Sequence, residues 1–497
     1  MERLRYGNRP VVGLYTIGLN AYWAQFPGLR ERLINYGKSI EGRLSKIADI
    51  KNYGLVDSEH VARMAGEWFN AQNVDIIFLH CGTYCTSASV LPIHQICKAP
   101  VVVLNLQPSI KLNYDKCDTG EWLANCGACV APEIANSFHR SGIPFRIING
   151  LLGLESTLQC STADETTFKR PEAKKAWEEI TEWTIAAGIK HSLRNCRFGF
   201  LGGNYCGMLD LYSDFTMLQA QTGMHVEIVE MCDLDRCLQS ATKAEINAKM
   251  REINSMFEIS GDSPTDPNVK QPTKEQLDWS AKVAAAQEKL VSEYGLDALA
   301  YYYHSSDGNP YEELQAGFIV GHSLLTAKGV PCAGEADLKT ALAMKICDLL
   351  GAGGSFCEIV AVDYDAGTIL IGHDGPFHIS ISNGRPILRG MGVYHGKKGT
   401  GISVEAKVRS GDITTLNVTQ SSDGKLKFII SEATATKGQI MTIGNTQTHA
   451  RFKTDPDTHM TKWFSQYPTH HFALSVGHNA GIFKKVAELL GIETVEL

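Results

Sequence analysis

The sequence predicts an α/β protein with two doubly wound parallel-sheet domains followed by a mostly antiparallel β-barrel domain. Up to residue 356, short apolar runs alternate with helix-length segments, which is typical of βαβ units with a sheet buried on both faces. From about Cys357 the chain turns to short β-like runs separated by turn residues, which indicates an antiparallel barrel or sandwich. At roughly 150 residues per domain, the 497 residues suggest three domains, placed at 1–165, 166–356 and 357–497.

The first domain opens with a predicted strand over Pro10–Tyr15 and a helix over Gly28–Arg43. The later apolar and amphipathic segments continue the alternation. They are a helix over Ser58–Gln72 and strands over Val74–His80, Ala99–Asn105 and Pro144–Ile148. Strands joined by helices pair in parallel, so these segments predict one parallel sheet.

The second domain begins after a polar helix over Pro171–Ala187. The run Arg197–Leu201 predicts its first strand, with Gly202 and Gly203 as the turn that follows. The further elements are strands over His225–Val229 and Ala298–Tyr303, a helix over Lys274–Tyr294 and a surface loop over Ser260–Pro272.

The third domain is predicted from six β-like runs and a closing amphipathic helix over Gly481–Leu490. The runs are Glu358–Val362, Thr368–Gly372, His378–Ser382, Ser403–Arg409, Ile413–Val418 and Lys425–Ser431.

Charge and hydropathy narrow the classes of function. The chain has 47 Lys and Arg against 54 Asp and Glu, a net charge of −7, so we expect no nucleic-acid partner. No stretch approaches the ~18 apolar residues of a membrane span, and Met1–Gly7 lacks the apolar core of a signal peptide. We therefore expect a cytoplasmic protein with no membrane partner. In that compartment the 14 scattered cysteines are expected to be reduced thiols.

One C-x-x-C pair occurs, at Cys126 and Cys129. No second such pair and no H-x-H pair accompanies it, and no thioredoxin-like context surrounds it. The pattern alone therefore does not favour a redox or zinc site.

Carboxylates and imidazoles occur at several predicted element boundaries. Glu335 follows a short strand and precedes a helix, the Gly-rich turn Gly353–Glu358 ends on Glu358, and His373 ends a β run. The pair His470-His471 lies near the C-terminus. Two carboxylates with one or two imidazoles and no thiolate suit an octahedral site for Mn²⁺ or a similar ion, and do not suit structural zinc. Singly, each residue has an ordinary structural explanation, such as a helix N-terminal carboxylate for Glu335.

Sugar-binding candidates follow the first predicted strand. Tyr22 and Trp23 could stack on a sugar ring, and the amide of Gln25 could bond its hydroxyls. Packing against a helix or a neighbouring subunit is an equally good reading of the aromatic residues.

The motif residues together resemble the L-arabinose isomerase family and its L-fucose isomerase relatives. The resemblance rests on Gly334–Ala341, the Gly-Gly-Ser-Phe-x-Glu element ending at Glu358, the Gly-His ending at His373, and the pair His470-His471. It implies Mn²⁺ bound by Glu335, Glu358, His373 and His471, with Co²⁺ or Mg²⁺ as substitutes. It also implies a homo-oligomer, trimer or hexamer, in which a neighbouring subunit completes the active site.

Within the adjacent pair, alternation along an extended segment predicts that only one imidazole faces the ion. The family pattern selects His471, leaving His470 to contact substrate or to pack. The intervals between Glu335, Glu358 and His373 differ by a few residues from typical L-arabinose isomerases, so the identity of the sugar stays open.

The predicted reaction converts a free aldose to its ketose, with L-arabinose to L-ribulose first and L-fucose or D-arabinose second. Moving a proton between C2 and C1 through an enediol needs a base and a group that handles the hydroxyl protons, and Glu335 and Glu358 can supply both. A hydride shift is the competing route. The rival functions are a lyase or epimerase with the same chemistry, and a non-catalytic sugar-binding protein, which has no need of two carboxylates beside His ligands.

Overall fold

A computed structural model of the chain describes residues 9–302, 309–391, 393–394, 397–398 and 401–497. The segment Met1–Gly7 and the end of the predicted strand at Tyr303 lie outside the described residues. Internal contacts divide the chain into two compact units, one of residues 7–191 and one whose main part is Ser192–Leu497. The predicted three-domain boundaries stay predictions.

The N-terminal unit is built on a five-stranded, fully parallel sheet with strand order β2-β1-β3-β4-β5. The elements are β1 (Val11–Ile17), α1 (Leu29–Leu44), β2 (Asp49–Val56), α2 (Glu59–Ala71), β3 (Ile76–Cys81), α3 (Leu91–Ile96), β4 (Val101–Gln107), α4 (Thr119–Ala124), α5 (Gly127–Arg140), β5 (Phe145–Leu151) and α6 (Pro171–Leu193).

Burial explains why the sequence pattern is clear in this unit. All six residues of β3 are buried, as expected of a central parallel strand, so its sequence is an unbroken apolar run. The strand β2 escapes prediction because all but its last residue are exposed or half-buried and its sequence, DIKNYGLV, carries charged and amide side chains. It is an edge strand, paired with β1 alone among the strands of this sheet.

The second unit begins with a four-stranded parallel sheet of order β11-β10-β6-β7. Its elements are β6 (Arg197–Leu201), α7 (Phe215–Thr222), β7 (His225–Val229), α8 (Met231–Gln239), α9 (Lys243–Met256), β8 (Glu258–Ile259), β9 (Val269–Lys270), α10 (Lys274–Tyr294), β10 (Ala298–Tyr301), α11 (Glu312–Ala316), α12 (Phe318–Ala327), β11 (Cys332–Ala333) and α13 (Leu338–Leu349). Both parallel sheets are as predicted, and the doubly wound arrangement of their helices stays a prediction.

The same unit ends in a closed, six-stranded antiparallel barrel of order β18-β21-β12-β13-β20-β19, closed by the pairing of β19 with β18. Its elements are β12 (Gly353–Asp363), β13 (Thr368–Gly372), β14 (Ile387–Met391), β15 (Val393–Tyr394), β16 (Lys397–Lys398), β17 (Ile402–Glu405), β18 (Gly411–Gln420), β19 (Leu426–Ala435), β20 (Thr448–Phe452), α14 (Pro456–Phe464), β21 (His471–Val476), α15 (Ala480–Leu490) and β22 (Glu493–Glu496). The barrel confirms the predicted change from alternating strands and helices to antiparallel β-structure.

Two local predictions in this region are wrong. The run His378–Ser382 is not a strand but a short 3-10 helix over Ile379–Ile381. The segment Gly353–Glu358 is not a turn: it is the start of β12, and both its glycines have positive φ, 85° and 128°. A Cβ on Gly354 would lie 2.8 Å from the carbonyl oxygen of Met344, so this glycine lets the strand run close against α13.

Among the described helices, none combines the length and the apolar composition required to cross a membrane.

Candidate metal centre and active site

Glu335 lies on the short helical turn Gly334–Ala336, directly after β11. It therefore sits at the carboxyl edge of the four-stranded parallel sheet, where ligand sites of open α/β sheets form. Glu335 and Ala336 have φ of 57° and 60°, two consecutive non-glycine residues in left-handed backbone. Such strained conformations cluster at functional sites. The turn is therefore consistent with a functional role for Glu335.

The register of the barrel brings the other predicted ligands to one place. Glu358 on β12 is paired with Gly372 of β13 on one side and with His471 of β21 on the other. Side chains directly opposite on neighbouring strands share a face of the sheet, so Glu358 and His471 lie side by side. His373 follows Gly372 at the end of β13.

Among the described residues, two trios of potential ligands have all their ligand atoms within 4.8 Å of one another. One is Glu335, His470 and His471, and the other is Glu358, His373 and His471. Because His471 belongs to both, the four predicted ligands and His470 form one cluster.

His471 is fully buried and is held between two carboxylates. Its Nδ1 lies 3.1 Å from Oδ2 of Asp337, and its Nε2 lies 3.3 Å from Oε2 of Glu335. A carboxylate at Nδ1 keeps the ring proton there and leaves the Nε2 lone pair free, as in many metal-binding histidines.

The Nε2 of His471 and Oε2 of Glu335 are buried and make no hydrogen bond to any described residue. Buried polar atoms without a partner are rare in folded proteins. Here both orphaned atoms are electron-pair donors and they face each other across 3.3 Å. A cation between them would satisfy both.

Asp337 also anchors the start of α13. Its carboxylate accepts hydrogen bonds from the backbone N–H of Thr340 (2.9 Å) and from the Thr340 hydroxyl (2.7 Å). Burial alone would raise the pKa of Asp337, but the hydrogen bond from His471 and the charge of Lys339 outweigh burial and lower this pKa. Asp337 is therefore an ionised carboxylate that joins the helix start to the orientation of His471.

The loop after β13 holds His373. The backbone N–H of His373 donates to Oγ1 of Thr446 and the N–H of Thr446 donates to the His373 carbonyl, both at 2.9 Å. A Cβ on Gly372 would lie 1.8 Å from the Thr446 carbonyl oxygen, so this approach requires glycine. The Nδ1 of His373 lies 2.9 Å from Asp374 Oδ1. Burial alone would lower the pKa of His373, but Asp374, Glu358 and Glu335 raise it.

His470 takes a position that the alternation rule did not predict. Its Nε2 lies 3.7 Å from Glu335 Oε2, so both adjacent imidazoles approach the same carboxylate. The reason is local: β21 begins at His471, so His470 precedes the strand and is not bound to strand alternation. Its Nδ1 lies 2.6 Å from Oδ2 of Asp210. That only one of the two imidazoles faces the ion stays a prediction.

The charges of this cluster are mutually stabilised. Burial would raise the pKa of Glu335, but the neighbouring imidazoles of His470, His471 and His373 hold it well below its usual range. Burial would lower the pKa of His470, but Asp210 and Glu335 raise it to about 10. The hydrogen bonds from His470 in turn outweigh burial and lower the pKa of Asp210 to about 2.

Sequence reasoning missed several polar groups around the cluster. Asp337 and Asp374 are close in sequence to the predicted ligands, and a search for carboxylates that orient histidines would have found them. Asp210 gives no such signal, because it lies 260 residues from His470. Tyr205 was also missed. Burial, then the charges of Glu335 and Asp374, raise the pKa of Tyr205, and its ring lies edge-on to that of Tyr302 at 5.1 Å.

The other predicted substrate residues belong to the N-terminal unit. Trp23 donates through Nε1 to Asp57 (2.8 Å), Gln25 donates to the Ala21 carbonyl (3.0 Å), and Tyr22 lies edge-on to Phe26. Their role in sugar binding stays a prediction.

No known protein-family profile matches the chain. An L-arabinose isomerase from Yersinia enterocolitica is 22% identical to it over 202 residues, which are 40% of this chain and 39% of that enzyme. The match thus spans well under half of either protein. It supports a distant, isomerase-like relationship.

Two solved structures resemble the chain weakly. One is a periplasmic solute-binding protein of an ABC transporter from Actinobacillus succinogenes 130z with bound D-allose, 11% identical, covering 64% of this chain and 82% of that chain with a TM-score of 0.16. The other is an ABC-transporter solute-binding protein from Burkholderia multivorans, which is 12% identical. The match covers 68% of this chain and 93% of that chain with a TM-score of 0.16. At this TM-score neither resemblance bears on function.

Proposed function

We propose that this protein is a metal-dependent aldose–ketose isomerase that acts on a free sugar, with L-arabinose as the first candidate substrate and L-fucose or D-arabinose as the second. The observation that carries the proposal is the cluster of Glu335, Glu358, His373 and His471, in which a buried carboxylate oxygen and a buried imidazole nitrogen face each other without partners. The distant similarity to an L-arabinose isomerase points to the same chemistry.

The donor set fits Mn²⁺, with Co²⁺ or Mg²⁺ as substitutes. It offers carboxylate oxygens and imidazole nitrogens and no thiolate, the combination that suits Mn²⁺ rather than structural zinc. Glu335, Glu358, His373 and His471 would hold the ion, with His470 as a further donor toward Glu335. When bound, the ion acts as a Lewis acid that stabilises negative charge developing on the sugar oxygens.

The two glutamates carry the proton transfers. One takes the proton from C2 of the aldose, and the other handles the hydroxyl protons while the proton returns to C1 through an enediol. The low pKa of Glu335, which its histidine neighbours maintain against burial, keeps that carboxylate ionised at neutral pH. A hydride shift between C1 and C2 is the alternative route, and it would need no base at C2.

Aromatic and polar residues near the glutamates supply candidate sugar contacts. Tyr205 and Tyr302 present a hydroxyl-bearing aromatic pair in the same unit as Glu335, and pyranose faces bind to aromatic rings. In the proposed assembly, Tyr22, Trp23 and Gln25 would contact the sugar held by a neighbouring subunit.

We further propose a cytoplasmic trimer or hexamer in which a neighbouring subunit completes the site. The side chains of Leu209 and Tyr467, close in sequence to Asp210 and His470, are 73% and 82% exposed. Both side chains are therefore accessible to a neighbouring subunit.

The test uses the purified full-length chain with Mn²⁺ and a panel of free aldoses that includes L-arabinose, L-fucose and D-arabinose. We expect ketose to form from one or more, to stop on chelation and to return with Mn²⁺ or Co²⁺. Turnover that persists without metal would contradict the metal-dependent scheme. Sugar binding without any conversion would favour a non-catalytic binding protein, and a product other than the ketose would favour an epimerase or lyase.

A further inference from the structure

The thiols of Cys126 and Cys129 touch at the start of α5. Their Sγ atoms lie 2.8 Å apart, and the Cys129 thiol also donates to the Cys126 carbonyl at 2.7 Å. A disulfide bond joins sulfurs at about 2.05 Å. The two sulfurs therefore need only a small approach to bond.

The backbone holds this pair in place. Cys126 is the N-cap residue directly before α5, and Cys129 lies in the first helical turn. A Cβ on Gly127 would lie 2.4 Å from the carbonyl oxygen of Cys81, so this glycine lets the helix start lie directly against the end of β3. The C-x-x-C turn is thus fixed by its neighbours in the same unit.

Exposure separates this pair from the other thiols beside it. Cys129 is exposed and Cys126 is half-buried, whereas Cys81 and Cys85 are buried. Cys81 and Cys85 are 2% and 0% exposed, so a dissolved reagent has no access to their sulfurs. A small reagent in solution therefore reaches the C-x-x-C pair and not the thiols behind it.

We propose that Cys126 and Cys129 are a reversible dithiol–disulfide pair that exchanges with small-molecule disulfides such as oxidised glutathione. One thiolate attacks a sulfur of the oxidant, forming a mixed disulfide and releasing one glutathione thiolate. The second thiolate then attacks the protein sulfur of that mixed disulfide, closing the Cys126–Cys129 bond and releasing the second glutathione. The two electrons pass to the oxidant, and the two thiol protons end on the released glutathione molecules or in solvent.

The protonation of the two thiols sets the rate of disulfide exchange. Burial of the sulfur, then the hydrogen bond with Cys126, raises the pKa of Cys129 to about 12, so this thiol is protonated at neutral pH. Because the thiolate is the nucleophile, exchange should speed up as the pH rises.

The experiment treats the full-length chain with oxidised glutathione at about pH 8.5, the pKa of a free cysteine. Remaining thiols are blocked with N-ethylmaleimide, and trypsin then releases the peptide between Lys116 and Arg140. This peptide contains Cys117, Cys126 and Cys129. We expect mass spectrometry to find Cys117 blocked and the other two joined, with the loss of two hydrogen atoms. Dithiothreitol before blocking should restore all three blocked thiols.

Single variants provide the controls. Cys126→Ser and Cys129→Ser should each abolish the internal bond, whereas Cys117→Ser should leave it unchanged. Three blocked thiols after oxidation, glutathione that remains attached without ring closure, or a bond that includes Cys117 would each overturn the proposal. None of these measurements depends on isomerase activity.

Discussion

The two glutamates of the cluster are the residues on which turnover should depend most. Replacing Glu335 or Glu358 by Gln keeps the shape and a carbonyl ligand but removes the base. We expect each variant to lose about 10²–10⁴ in kcat, as is typical when general acid–base catalysis is lost. Asp365→Asn, an exposed carboxylate in the turn after β12, is the control and should keep the parental rate. A Glu358→Gln protein that isomerises sugar at the parental rate would rule out the proton-transfer scheme.

The adjacent histidines should differ in their effect on metal binding. His471 belongs to both trios and is buried, whereas His470 belongs to one and is 38% exposed. We therefore expect His471→Ala to lose bound Mn²⁺, and His470→Ala to retain it with altered sugar affinity. Metal content after gel filtration distinguishes the two. The reverse order would mean that the ligand assignment is wrong by one residue.

A buried histidine away from the site should couple stability to pH. His94 bonds Tyr15 through Nε2 at 2.9 Å, and burial, then the charge of Lys98, lowers its pKa to about 3. From about pH 6.5 down to about pH 3, the unfolded chain binds a proton at this residue and the folded chain does not. The free energy of unfolding should therefore fall with falling pH, by about 1.4 kcal/mol per unit from this group.

Urea unfolding at several pH values measures this linkage. Between about pH 3 and pH 6.5, His94→Gln should reduce the slope of the free energy of unfolding against pH by about 1.4 kcal/mol per pH unit. His60→Gln, at an exposed residue, should leave that slope unchanged. An unaltered slope in His94→Gln would contradict the assignment.

At the scale of elements, α13 should link helix stability to metal affinity. Asp337 caps α13 and also holds Nδ1 of His471. Asp455 caps α14 in the same way, through the Thr458 N–H at 3.0 Å, and is exposed. We expect Asp337→Ala and Asp455→Ala each to cost about 1 kcal/mol of stability.

Only Asp337→Ala should also weaken Mn²⁺ binding, by about 10–100-fold, because the Asp337 carboxylate orients the His471 ring and its removal lets that ring rotate. Thermal unfolding and metal titration of the same two proteins separate the effects. Equal metal affinity in both variants would show that Asp337 is a helix cap and nothing more.

At the scale of the whole molecule, the proposed shared site predicts an obligate assembly. Light scattering of the active protein should give three or six times the mass of one chain. Dilution to monomer should remove activity, because the neighbour's residues would be lost from the pocket. A monomer with full activity would contradict the proposal and leave the catalytic cluster of one chain sufficient by itself.

Local patterning alone determined the alternation of strands and helices, the change to a barrel near Cys357, and Glu335, Glu358, His373 and the pair His470-His471 as candidates. The family resemblance then selected His471 within the pair. Buried parallel strands such as β3 are continuous apolar runs, and glycines and polar residues mark the ends of elements. Both features can be recognised from a short stretch of sequence. The edge strand β2 has no such signature.

Only the tertiary structure decided which candidates meet. The register that pairs Glu358 with His471, the approach of His470 to Glu335 and its bond to Asp210 join residues separated by more than 100 positions. The contact of Cys126 with Cys129 was visible as spacing, but whether the sulfurs touch depends on how closely α5 can begin against β3. Such convergence is a property of packing in three dimensions, which periodicity along the chain does not encode.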